Sequence, residues 1–362
     1  MSEFTQSNEC VEEHKTEPSI VSSVLTNIEQ ENVSLVRQIL QDVIDPDDHI
    51  SNDCDVLRFL RARNGDVNKA ADMLRAHLLW RAKEKPWKMY CQTCEDEPGY
   101  HALRQCGFDS DGHALLYTCF DQCADGIGFK NGTEHMIHGI ENAILSMKHH
   151  NTVVKGCEGD GKWIWVLDFQ GFGFKNMQIG PARETISIFS NQYPERLHKI
   201  IMLNAPWILG GFISLLKPFV DAVTFSKVCF IRGDSNIMRE KLIVLLGNEK
   251  ESLEVVDWLV KEVELNQQSP FPATQTQWWK TPEPVTTPIL QDGKSVMRVH
   301  DPRGTPSWIR DVLEARVLLR HHEPSKCCQW PGNAFPAPML VRELTGGMTL
   351  LDHLELIEKE KL

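Results

Sequence analysis

Apolar residues recur at helical spacing through the first third of the chain. Helical signals begin near Val33, and D-V-L-R-F-L-R-A-R from Asp53 puts Leu57, Leu60 and Arg61 on successive turns, with Asp53 as the expected N-cap and Asn64-Gly65 as the stop. Asp66 caps a further helix whose Val67, Ala70, Ala71, Leu74 and Leu78 fall at i, i+3, i+4, i+7 and i+11. This predicts an all-helical subdomain over 31–95, whose helices precede Pro86.

From about residue 96 the pattern changes. Leu115 to Phe120, Trp163 to Phe169, Lys199 to Leu203 and Lys227 to Ile231 are apolar runs of strand length, separated by stretches long enough for helical crossovers. Glu134 to His149 and Pro181 to Gln192 supply two of those helices, the second opening on a proline suited to a first turn. The implied fold class is α/β, a mostly parallel sheet covered by helices, over 96–265.

Ile200 to Val220 is long and greasy enough to suggest a membrane span, but Asn204, Pro206, Gly210-Gly211 and Lys217 interrupt it. Such a segment belongs in a core or against an apolar cavity. Within and beyond it, Phe212, Leu215, Leu216, Phe219, Val220 and Val223 form one stripe, predicting a helix from Phe212 to Val223. Periodicity alone fits a helix fixed on a core or a movable lid.

Composition changes the picture mainly at the ends. Residues 1–30 carry few large apolar groups and read as a disordered acidic tail; thirteen acids against two bases in residues 1–55 hold nearly all of the net charge of −12. No basic footprint for nucleic acid or polybasic membrane anchor remains. The first twenty residues lack an apolar core for a secretory signal, and eleven scattered cysteines, an odd count, suit a reducing compartment, so a cytoplasmic location with transient membrane contact is expected. Past about 265 the chain turns rich in Pro, Gln and Thr; 266–362 reads as a C-terminal extension with a helical pattern at Trp308 to Leu319 and a possible protein-partner role.

Three stretches carry the strongest signal: K-W-I-W-V-L-D-F-Q-G-F-G-F from Lys162, N-Q-Y-P-E-R-L-H-K-I-I-M-L-N-A-P-W from Asn191, and L-L-K-P-F-V-D-A-V-T-F-S-K-V from Leu215. Together with L-R-F-L-R-A-R-N-G-D-V near the start, their order and spacing closely resemble the CRAL-TRIO (Sec-fourteen-like) lipid-transfer family, particularly its phosphatidylinositol-transfer branch, over roughly residues 50–235. The resemblance implies a non-enzymatic protein that encloses one phospholipid, with no cofactor besides that ligand. It further implies a gate helix at Phe212 to Val223 hinged at Gly210 and Gly211, and headgroup contacts from Arg63, Asp109 (in preference to Asp111), Glu195, Arg196, Thr224 and Lys227. Two departures leave another hydrophobic ligand open: Asn64 stands where that branch usually has Lys, which removes one phosphate partner, and Gly171, Phe172 and Gly173 stand where phosphatidylcholine exchangers carry hydroxyls, which makes phosphatidylcholine less secure than phosphatidylinositol.

Taken one by one these residues are less telling. Charges such as Glu195, Arg196 and Lys227 most often lie solvated at a surface, and Asp168 at a strand end has no nucleophile and base at a recognisable spacing, so it reads as structural. C-x-x-C at Cys91 and Cys94 lacks a second such pair, Cys119-Cys123 and Cys327-Cys328 do not supply one, and His149-His150 and His321-His322 read as surface histidines, so no metal site is expected. Neither the phosphate loop G-x-x-x-x-G-K-[ST] nor G-x-S-x-G occurs, since Trp163 follows the G-x-x-x-x-G-K of Gly156 to Lys162. A carrier of a retinoid, tocopherol or sterol and a lipid-sensing scaffold remain the alternatives to phospholipid transfer.

Overall fold

In the computed structural model the described residues are 26–268, apart from 47–48, 90–92, 94–100, 102, 121–130 and 152–158. Five strands form one sheet in sequence order: β1 (Arg104–Phe108), β2 (Ala114–Cys119), β3 (Trp163–Asp168), β4 (Leu197–Leu203) and β5 (Val228–Ile231). β1 is antiparallel to β2, and the other pairings are parallel. The expected runs therefore became β2 to β5 within two residues at each end. β1 went unread because R-Q-C-G-F has neither alternation nor β-branched residues.

Strand order decides where the helices go. Parallel neighbours joined in sequence by right-handed crossovers put every crossover helix on the same side of the sheet. Those helices are α4 (Gly132–His150), α5 (Ile179–Gln192), α6 (Leu209–Leu216) and a short α7 (Ala222–Ser226). The opposite side is left to the helices after β5, α8 (Ser235–Leu246) and α9 (Lys250–Gln268). Trp258 of α9 meets Tyr117 of β2 edge-on at 6.0 Å, and α9 lies along β1.

Before the sheet, α1 (Asn27–Ile39), α2 (Asp53–Arg61) and α3 (Val67–Glu84) enclose their own core of Val33, Val36, Val56, Leu57, Leu60, Leu74 and Leu78. The tail boundary at 30 is corrected, since α1 starts at Asn27, fixed by a reciprocal capping box between Thr26 and Glu29. Asn52, not Asp53, caps α2, its side chain accepting from the Asp55 amide. Asp66 caps α3 as expected. α9 runs to Gln268, past the expected domain edge, while residues 1–25 and 269–362, with Trp308 to Leu319, lie outside the described residues, as do Cys91, Cys94 and Cys123. Among the described residues no helix is long and apolar enough to cross a membrane.

Candidate functional site

The expected single helix from Phe212 to Val223 is broken. α6 ends at Leu216, Lys217–Phe219 form a 3-10 turn, and α7 starts only at Ala222, because Pro218 cannot continue the hydrogen-bond ladder. Gly210 and Gly211 lie inside the first turn of α6 instead of before it, exposed and with open space where a Cβ would project.

What α5 and α6 cover is the informative part. On the α8/α9 side Tyr117, Val166, Ile201, Leu203 and Ile231 are fully buried. The residues between them, Trp165, Leu167, Ile200, Met202 and Phe230, point to the crossover side and are only half-buried although equally apolar. Above them Phe169, Phe172, Leu209, Phe212, Ile213 and Leu216 form a separate aromatic-rich cluster with Leu167, Met202 and Phe230. α5 has no buried residue at all. The wall continues outward into Trp207, Leu215, Phe219 and Val223, all exposed, with the Arg183 guanidinium 4.3 Å from the Phe219 ring centre.

At the β4–β5 end of this wall, the Lys227 ammonium lies 3.9 Å from the Glu195 carboxylate, both groups partly exposed. Glu195 has a left-handed backbone, φ +55°. Thr224 lies a turn before Lys227 on α7, but its hydroxyl donates to Asp221 at 2.6 Å. Asp221 also accepts from the Thr224 amide, and although burial opposes it, these two bonds lower the Asp221 carboxyl pKa.

The remaining headgroup candidates are elsewhere. The Arg63 guanidinium donates to the Ala62 carbonyl in the helical subdomain. Arg196 is buried, donating to Asp55 of α2 and to the Gly161 carbonyl, each at 3.1 Å. Burial, with Arg58 alongside, lowers its pKa to about 9 against the pull of Asp55. Asp109 is buried in the β1–β2 turn, accepting from the amides of Asp111 and His113 and from His113 Nδ1 at 2.7 Å. Sequence resemblance thus assembled six headgroup positions, of which the structure brings together Glu195 and Lys227, with Thr224 three residues before Lys227.

Asp109, Asp111 and His113 bring three ligand atoms within 4.8 Å of one another, yet they do not suit a metal. Both His113 nitrogens are engaged, by Asp109 and, at 3.2 Å, by Asp160. Burial disfavours the charged ring, but the two carboxylates prevail and raise its pKa to about 9, and an imidazolium has no lone pair to give. Asp168 is buried and accepts from Tyr117, Asn204 and the Gln170 amide, which joins β2 to the turns after β3 and β4. Burial raises its carboxyl pKa against those bonds. His150 corrects the surface reading: its ring is buried, stacked 3.9 Å from Phe108, a contact that its polar sequence neighbours concealed.

Two family models match: the CRAL/TRIO domain over residues 100–244 and the CRAL/TRIO N-terminal domain over 21–76, together more than half of the chain. The chain belongs to the CRAL/TRIO family. Its helical subdomain and sheet domain are the two CRAL/TRIO units in their family order. Similar curated proteins include the phosphatidylinositol transfer protein CSR1 of Eremothecium gossypii, 30% identical over 54% of this chain and 47% of that relative. The phosphatidylinositol transfer protein PDR17 of Saccharomyces cerevisiae is 27% identical over 50% of this chain and 52% of its own length. These matches span about half the length of each relative. The crystal structure of Sfh5 aligns with a TM-score of 0.46 at 14% identity, over 66% of this chain and 96% of that one.

Proposed function

We propose that this CRAL/TRIO chain holds one phospholipid, phosphatidylinositol in preference to others, and transfers or presents it between membranes. The observation that carries the reading is the unequal burial of the sheet: Trp165, Leu167, Ile200, Met202 and Phe230 form an apolar face that side chains alone leave half-covered. A diacyl lipid has on the order of 30 methylenes, each costing about 0.8 kcal/mol in water, so a carrier must offer its tails comparable apolar area. Acyl chains laid between this face and α5–α6 complete the burial that the protein leaves unfinished.

The broken gate suits such a ligand, since Pro218 uncouples α6 from α7 and lets one swing without the other. Exposed Trp207, Leu215, Phe219 and Val223 give it a surface for transient contact with a bilayer. Lys227 and Glu195 offer a cation for phosphate and an acceptor for inositol hydroxyls. The role is carriage and requires no bond-making chemistry.

Transfer of phosphatidylinositol between vesicles by the full chain tests the reading. The wild type accelerates it, and Lys227→Ala, which removes a charge-assisted contact, slows it about 10-fold or more. No acceleration by the wild type contradicts the proposal.

A further inference from the structure

The Tyr193–Arg196 segment contains a tension that its own sequence does not explain. Glu195 adopts φ +55°, a conformation that is strained for a side-chain-bearing residue and persists only where the surroundings impose it. Its own carboxylate supplies no such force, with Lys227 as far away as 3.9 Å.

The force comes from both sides, and each side leads to the helical subdomain. Ahead of Glu195, the buried Tyr193 hydroxyl donates to Glu141 at 2.8 Å, and Glu141 is itself gripped by Arg81 of α3 through bonds of 2.8 and 3.1 Å. The Tyr193 ring stands edge-on to Trp80 of α3, and His77 of α3 bonds to Gln192 at 3.0 Å. After Glu195, the Arg196 guanidinium is tied to Asp55 of α2, which also pairs with Arg58. Arg58 in turn donates to the Asp160 carbonyl while Arg196 donates to that of Gly161. Gly161, at φ +66°, has a backbone that strains any other residue, and a Cβ there would lie 2.5 Å from the Arg196 guanidinium and 2.7 Å from that of Arg58, so a side chain would displace both.

From this geometry we infer that Asp55, Arg81, Glu141, Tyr193 and Arg196 are positioning residues through which the helical subdomain clamps both flanks of Glu195 and aims its carboxylate toward Lys227. Arg196 acts through the backbone of its neighbour and not as a headgroup ligand. The subdomain is thereby part of how the site selects its lipid, even though its helices supply neither Glu195 nor Lys227. The inference rests on the proposed headgroup role of that pair.

The test is competitive uptake by the full-length chain from vesicles containing equal phosphatidylinositol and phosphatidylcholine, with the two retained lipids quantified by mass spectrometry and thermal unfolding followed in parallel. Tyr193→Phe keeps the ring and deletes only the hydroxyl; Asp55→Asn keeps the size and removes the charge; Glu195→Gln reports the headgroup contact itself. The inference expects Tyr193→Phe to lower the phosphatidylinositol-to-phosphatidylcholine ratio about 3- to 10-fold, Asp55→Asn to do the same if it folds, and neither to lower it further on a Glu195→Gln background. If Glu195→Gln lowers the ratio while Tyr193→Phe, folded as stably as wild type, leaves it unchanged, the clamp is refuted and the headgroup reading stands. If Glu195→Gln itself leaves the ratio unchanged, the headgroup reading fails and the clamp with it. An equal loss of both lipids in Tyr193→Phe, accompanied by a lower melting temperature, marks a merely structural role and also overturns the inference.

Discussion

The two faces of β4 carry similar apolar residues and have different fates. Ile201 and Leu203 on one side of β4 are sealed by α8 and α9, whereas Ile200 and Met202 on the other side, equally apolar, are left half-covered beneath α5 and α6. Charged groups divide in a similar way. His113 is enclosed between Asp109 and Asp160 at 2.7 and 3.2 Å, while Lys227 and Glu195, near the half-covered face, face each other across 3.9 Å with solvent access. One region is closed by the protein's own side chains, and the other is left partly open. A folded protein normally closes its apolar interior to the density of a molecular crystal, so a half-covered face next to a sealed one is the departure that the proposed lipid would account for.

Truncating one residue from each face tests that contrast with the largest effect. Ile201→Ala opens a cavity in the filled side and is expected to lower the free energy of unfolding by about 2–5 kcal/mol in urea titrations, without changing lipid selectivity. Met202→Ala, one residue along, is expected to cost under about 1 kcal/mol yet to reduce lipid retention severalfold. Equal stability losses at the two positions would erase the distinction between the faces.

A smaller effect comes from the charged groups. The His113 pKa is raised in the folded state to about 9, above its ordinary value of about 6.5, so its stabilisation is complete below about pH 6.5 and is lost as pH rises through about 9. Unfolding free energy is expected to fall between pH 7 and 9.5 by on the order of 2 kcal/mol more in the wild type than in His113→Gln. Parallel pH profiles for the two proteins would show that the ring is neutral and the enclosure less complete than described.

The sequence made the repeating parts of this architecture legible and left the pairings obscure. β2 to β5 stand out as apolar runs, and Val67, Ala70, Ala71, Leu74 and Leu78 mark α3, because burial imposes a period on residue type. Pro218 is a readable break between Phe212 and Val223, but the continuous apolar stripe of that segment hides it. α8 has signals too, in the Asp234 cap and in Met238, Leu242 and Leu246 four residues apart. By contrast, Arg196 meets Asp55 across 141 residues and Arg81 meets Glu141 across 60, and no local pattern encodes such distances. Family resemblance listed Glu195, Lys227 and Arg196 together, whereas the structure sets the first two 3.9 Å apart with solvent access and turns Arg196 inward to Asp55, since a motif records which residues occur together and not which way each side chain turns.

Native mass spectrometry of the full-length chain after incubation with phosphatidylinositol vesicles addresses the half-covered face most directly. A species heavier than the protein by one phosphatidylinositol, depleted in Met202→Ala and retained in Ile201→Ala, is the predicted result. A wild-type chain that folds cooperatively and emerges with no phospholipid bound would contradict the account.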